Sequence, residues 1–127
     1  MTDAKVVDAS ALAALIFAEP DAENVAKRVE GARLAAPSLL DFELANVCLN
    51  KMRRQPAKRD AIRAAFRLAN RLKVETVAVD HAAIVDLAET TGLTAYDASY
   101  LWLARSLDAE LVTLDRKLAA ASYNVRG

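Results

Sequence analysis

The stretch Lys5-Val6-Val7-Asp8-Ala9-Ser10-Ala11-Leu12 decides how the rest of the chain is read. A β-branched pair opens it, an aspartate closes it, and alanine and leucine at helical spacing follow. Strand, polar turn and helix in so few residues is how an α/β unit begins. Asp8 then falls at the carboxyl end of a strand, where open α/β sheets place their ligands.

The same order of signals recurs downstream. A first strand at Lys5 to Val7 is followed by helices from about Ala9 to Phe17 and Asp21 to Glu30, separated by Pro20. Arg33 to Ala36 reads as a second strand, Pro37-Ser38 as a break, and Leu39 to about Arg54 as a long helix that Gln55-Pro56 stops. A single helix is expected over Ala57 to Lys73. Glu75 to Val79 is the third strand, and Asp80 caps a helix ending before Gly92. A helix from Thr94 to about Leu107, a fourth strand at Glu110 to Leu114, a short helix from Asp115 or Arg116, and a possible edge strand at Tyr123-Asn124-Val125 complete the chain. Short β-branched runs alternating with alanine-rich helical segments predict an α/β fold with a parallel sheet of four or five strands.

Composition confines this to one domain over residues 1–127. At 127 residues and 54% hydrophobic, with three glycines, three prolines, no repeat and no low-complexity run, there is material for one core and none for a linker. Met1 to Lys5 lacks a positive n-region, and the apolar runs are short and charge-interrupted, so neither a signal peptide nor a membrane span is expected. A cytoplasmic location fits, and the lone Cys48 between Val47 and Leu49 fits a reduced core thiol. His81, beside Asp80 at a helix start, reads as a surface residue. Trp102, with Tyr100 and Leu103, covers more than one side of its helix and reads as core, with an interface as the alternative for part of that surface.

Chemistry is carried by four acids in apolar company. Asp8 closes Val6-Val7, Asp115 closes Leu111-Val112-Thr113-Leu114, and Glu43 and Asp97 interrupt the apolar faces of two helices. An ionised carboxylate there is costly unless something positive pairs with it. With one histidine and one cysteine in the chain, hard oxygen chemistry points to Mg²⁺ or Mn²⁺ rather than zinc. Asp8 and Asp115 could also be plain helix N-caps, and Thr94 to Asp97 has capping-box spacing. Glu43 has no such reading: it sits inside its helix, with Asn46 and Asn50 continuing a polar stripe. Two rivals with strand-end aspartates are disfavoured. A phosphatase of the haloacid-dehalogenase kind would need an acid where Ser10 stands, and a response-regulator receiver would need paired acids and a late lysine.

The ordered set Val6-Val7-Asp8-Ala9-Ser10-Ala11-Leu12, Glu43 with Asn46, Thr94-Ala95-Tyr96-Asp97-Ala98 and Thr113-Leu114-Asp115 resembles that of PIN-domain ribonucleases, and more narrowly the VapC toxins of toxin–antitoxin pairs. The resemblance spans essentially the whole chain and implies a three-layer α/β/α domain. It also implies Asp8, Glu43, Asp97 and Asp115 as catalytic acids around Mg²⁺ or Mn²⁺, with Ser10, Asn46 and Thr113 in support. It implies an RNA substrate, a homodimer, and a small antitoxin that masks the site. A PIN-like module that binds RNA or protein without cutting is the alternative.

Net charge is zero, yet the charge is unevenly spread. Between Lys51 and Lys73 lie nine of the 17 basic residues against Asp60 alone, which leaves 8 basic and 16 acidic residues elsewhere. Arg59, Arg63, Arg67 and Arg71 recur every four residues and form a row able to follow phosphates, or else a solvated helix face.

Overall fold

The computed structural model describes residues 3–124. Its elements are β1 (Ala4–Val7), α1 (Ala9–Ile16), α2 (Ala22–Val29), β2 (Arg33–Pro37), α3 (Leu39–Arg54), α4 (Arg59–Arg67), β3 (Glu75–Val77), α5 (His81–Thr91), α6 (Ala95–Ser106), β4 (Glu110–Val112) and α7 (Arg116–Asn124). The four strands form one sheet in the order β3-β2-β1-β4, and every pairing is parallel. β1 and β2 hold the middle and supply Val6, Val7 and Ala36, all 0% exposed, while the edge strands β3 and β4 are only 3 residues long. Short edges limit the unpaired backbone open to another chain.

Chain order explains the layers. The crossovers from β1 to β2 and from β2 to β3 step the same way along the sheet and carry α1 to α4; the return from β3 to β4 carries α5 and α6. Right-handed crossovers therefore put the two sets on opposite faces, giving three layers. α6 packs across β1, β2 and β4 and buries its middle, with Tyr100, Leu101 and Leu103 at 1% exposure or less. The direction of travel reverses between β1 and β4, so the switch point of the sheet lies at Asp8 and Thr113.

At the opposite end of β1 and β4, Lys5 and Arg28 both pair with Glu110, at 3.3 and 3.0 Å, tying α2 to the edge strand. Burial tends to raise the Glu110 pKa, but the two cations together hold it below the usual carboxylate range.

Most expected elements form within a residue or two of their expected ends. Two do not. The helix over Ala57 to Lys73 is three pieces: a 3₁₀ turn at Pro56–Lys58, α4, and a second 3₁₀ segment at Leu68–Leu72 that ends with Lys73 in the left-handed region at φ 50°. Proline opens the first turn, and the tighter winding at the end turns Leu72 and Val74 onto the core. Tyr123 and Asn124 belong to α7, so the described part of the expected edge strand is helical; Val125 lies outside the described residues. Cys48 is a buried free thiol, His81 is exposed, and Trp102 packs partly against the core, as expected. Among the described residues no helix is long and apolar enough to cross a membrane.

Candidate functional site

Strand register places the first pair of site residues. Val7 pairs with Val112, and the Asp8 amide continues the ladder by donating to the Val112 carbonyl at 3.3 Å. Asp8 and Thr113 therefore leave the sheet side by side. Asp8 is 6% exposed, and its carboxylate is held from three directions: Oδ1 accepts from the Ala11 amide at 3.0 Å and from Ser10 Oγ at 2.7 Å, and Oδ2 accepts from Thr113 Oγ1. Asp8 is thus the N-cap of α1 and also one wall of a polar cluster.

The hydroxyls are in turn fixed by backbone. Ser10 Oγ accepts from the Leu114 amide at 2.9 Å and Thr113 Oγ1 from the Asp115 amide at 3.0 Å. Ser10 and Thr113 therefore lock the turn after β4 to the turn after β1. Asp115 caps α7 by accepting from the Leu118 amide at 2.9 Å, and it stands exposed.

The helix acids arrive from opposite layers. Thr94 caps α6 by accepting from the Asp97 amide at 3.1 Å, but among the described residues no hydrogen bond takes the Asp97 carboxylate back to Thr94, so only half a capping box forms. Asp97 is half-buried and turned toward the sheet's carboxyl edge. Its pKa is raised by burial and then by Asp115 and Asp8, and lowered in part by Lys117. Glu43, half-buried in the second turn of α3, accepts a hydrogen bond from the hydroxyl of the buried Tyr100 on α6. Burial raises its pKa, Tyr100 lowers it, and Asp97 and Asp8 raise it further. These mutual effects place the four expected acids in one electrostatic neighbourhood across two layers and two strand ends.

Two expectations need amendment. Asn46 was expected beside Glu43; it is exposed on α3, and the residue that holds Glu43 is Tyr100, one turn after Asp97. On sequence alone a tyrosine on the inward face of this helix reads as core. The spacing Asp97 to Tyr100, three residues, is the signal that could have found it, since it sets the hydroxyl on the same side as the acid. The arginine row is only partly a row: Arg59, Arg63 and Arg67 share α4, whereas Arg71 follows in the 3₁₀ segment, where the turn per residue differs. All four are exposed, and Arg59 also pairs with Asp60 at 3.6 Å.

Among the described residues no three histidine, cysteine, aspartate or glutamate side chains stand close enough to form a ready cage around one ion. The donor set is nonetheless all hard carboxylate oxygen. Its members influence one another without touching, which suits Mg²⁺ or Mn²⁺, ions that keep several of their own waters, better than a fully enclosed metal. A cleft of about 510 Å³ between α1, α3 and the α4 segment, floored by Leu12, Ile16, Leu44 and Phe66, contains none of the four acids. The acids lie outside this cleft, toward the carboxyl edge of the sheet.

A profile of the PIN domain matches residues 5–122. Ribonuclease VapC3 of Pyrobaculum aerophilum is 35% identical over 119 residues, covering 90% of this chain and 91% of the relative. Ribonuclease VapC9 of Mycobacterium tuberculosis is 34% identical over 119 residues, covering 90% of this chain and 87% of the relative. The crystal structure of PAE2754 from Pyrobaculum aerophilum superposes with a TM-score of 0.76 at 28% identity, covering 94% of this chain and 86% of that one.

Proposed function

The chain belongs to the PIN-domain family, and from that premise we propose that it is a Mg²⁺- or Mn²⁺-dependent endoribonuclease, the toxin of a toxin–antitoxin pair, that hydrolyses RNA phosphodiester bonds. The observation that supports the reading is the mutual influence of the acids near the switch point of the sheet: Glu43 feels Asp97 and Asp8, Asp97 feels Asp115 and Asp8, and Thr113 holds the Asp8 carboxylate. Relatives named ribonucleases over nine-tenths of the chain support RNA as the substrate.

In this reading Asp8 and Asp97 are the principal metal ligands, Asp115 a direct or water-mediated one, and Glu43 a ligand or the group that orients the attacking water. When bound, the divalent ion supplies charge neutralisation at the phosphate and an acidified water. The protein's part is positioning. Ser10, Thr113 and the Ala11 amide hold the Asp8 carboxylate in one orientation. Tyr100 holds Glu43 facing α6 rather than solvent. Burial and the neighbouring acids raise the pKa values of Glu43 and Asp97, and a nearby cation would offset that rise. A small antitoxin that covers the acids, a homodimer and a cytoplasmic location complete the proposal.

The test is cleavage of tRNA, rRNA and single-stranded RNA by the purified protein, freed of any inhibitor, and by Asp8→Asn, in Mg²⁺, Mn²⁺ or excess EDTA. Cutting that needs the metal and is lost by at least a hundredfold in Asp8→Asn is expected. Equal activity in EDTA, or inertness of both proteins, would favour a PIN-like module that binds RNA or protein without cutting it.

A further inference from the structure

Lys117 stands where a cation should be unwelcome. α7 opens with Arg116 and Lys117, in the first turn of a helix whose free amides already present about half a positive charge. The Lys117 ammonium is not loose in solvent, however; its Nζ donates to the Gly92 carbonyl oxygen at 3.0 Å. Gly92 ends α5 and lies two residues before Thr94, the cap of α6, which in turn binds the amide of Asp97. One hydrogen bond thus fastens a positive charge to the short turn that leads into α6, whose first turn carries Asp97. From there it offsets part of the repulsion that Asp97 receives from Asp115 and Asp8.

An ammonium has three donors, and the Gly92 carbonyl uses one. Lysine is also a compact point charge whose donors turn freely, so it accepts a phosphate oxygen without demanding one geometry. An RNA strand approaching four carboxylates is repelled, and a fixed cation at their rim reduces that barrier. We propose that Lys117 is a positioning residue of this site: a resident counter-cation that shares Asp97 with the divalent ion and holds a phosphate oxygen of the RNA at the rim. The RNA half of the claim rests on the ribonuclease reading above; the counter-cation half concerns the protein's own charges.

Because one charge serves both ends, its removal has effects of opposite sign. Without Lys117 the acids attract a divalent cation more strongly and an RNA phosphate more weakly. A lysine that merely struts α7 against α5 would do neither when replaced.

The experiment compares the wild-type protein with Lys117→Gln, which keeps a donor for Gly92 but no charge, Lys117→Met, which keeps neither, and Lys117→Arg, which keeps the charge. Melting temperature against Mg²⁺ concentration, without RNA, should show half-saturation at roughly three- to tenfold lower Mg²⁺ in the Gln and Met variants. With single-stranded RNA, KM should rise several-fold in both while kcat changes less, and the slope of log affinity against log salt should lessen by about 0.7. Lys117→Arg should stay near wild type in both measurements. A melting temperature lowered in Met alone, with Mg²⁺ midpoints and salt slopes unchanged in Met and Gln, would overturn the proposal and leave a strut. If the Met variant does not fold, Lys117→Gln decides alone. A wild-type protein that Mg²⁺ neither stabilises nor activates would overturn the ribonuclease reading and the counter-cation together. A Mg²⁺-dependent wild type with unaltered variants would overturn Lys117 only.

Discussion

Glu43 shows how a carboxylate can be held by the fold and yet be at odds with it. Burial is the main influence raising its pKa, Tyr100 opposes it through a hydrogen bond, and Asp97 and Asp8 add to the rise. Between the pKa of an unfolded glutamate and the raised folded value, the native state binds more protons than the unfolded one, so stability falls as pH rises through that window. Above it, Glu43 carries a charge that the fold disfavours. Glu43→Gln, which can still accept from Tyr100, should therefore melt about 1–3 °C higher than wild type at pH 7 in EDTA, a modest gain because the group is half-exposed. It should also lose less stability between pH 4 and 7, while cleavage falls. An unchanged melting temperature and pH slope, followed by thermal denaturation, would show that Glu43 carries no such strain. At this scale Asp8, Glu43 and Asp97 were legible from the sequence because a charge in apolar company calls for a partner. Tyr100 was not, because a phenol on an inward helix face looks like core until its hydroxyl is seen to meet an acid from another helix.

Among the elements, α5 and α6 are joined by a turn that sets the heading of Asp97. Gly92 adopts φ +75°, a left-handed conformation that closes α5 by returning its amide to the Ala88 carbonyl at 2.9 Å. A Cβ there would meet nothing within 4 Å, so the need for glycine is conformational and not steric. Gly92→Ala should cost about 1 kcal/mol and Gly92→Asn less, measured by urea denaturation. Equal losses in both would mean that the left-handed backbone is not the cause. The sequence announced this boundary well, as it did Asp80 and Thr94, because caps are local: the side chain and the amide it serves lie three residues apart. It announced the segment after Pro56 poorly. A periodic run of alanine and arginine satisfies a helix wherever it is placed, and only the demand that Leu72 and Val74 reach the core tightens its end into 3₁₀ winding.

On the scale of the whole molecule, charge is partitioned: the basic stretch from Lys51 to Lys73 lies on α3, α4 and their 3₁₀ flanks, while most acids lie elsewhere, including the sheet's carboxyl edge. Arg59 and Arg63 share α4 and are exposed. If that face follows the RNA backbone, replacing both with glutamine should lower the salt slope of single-stranded RNA binding by about 1.4, at about 0.7 per lost phosphate contact. An unchanged slope would assign the row to solvation.

What the sequence alone determined is what local rules and patterning determine: strands and helices in alternation, the parallel sheet they imply, the caps, and the apolar company of Asp8, Glu43 and Asp97, whereas Asp115 stands exposed. What only the tertiary structure decided is who meets whom. Asp8 and Thr113 are separated by 105 residues and share a hydrogen bond because β1 lies beside β4, an order that alternation does not specify. Glu43 finds Tyr100 because helices on opposite faces of the sheet both come to its carboxyl edge. Lys117 reaches Gly92 because α7 folds back toward α5. Contacts of this kind follow from strand order and crossover hand, properties of the assembled sheet that no stretch of residues carries by itself.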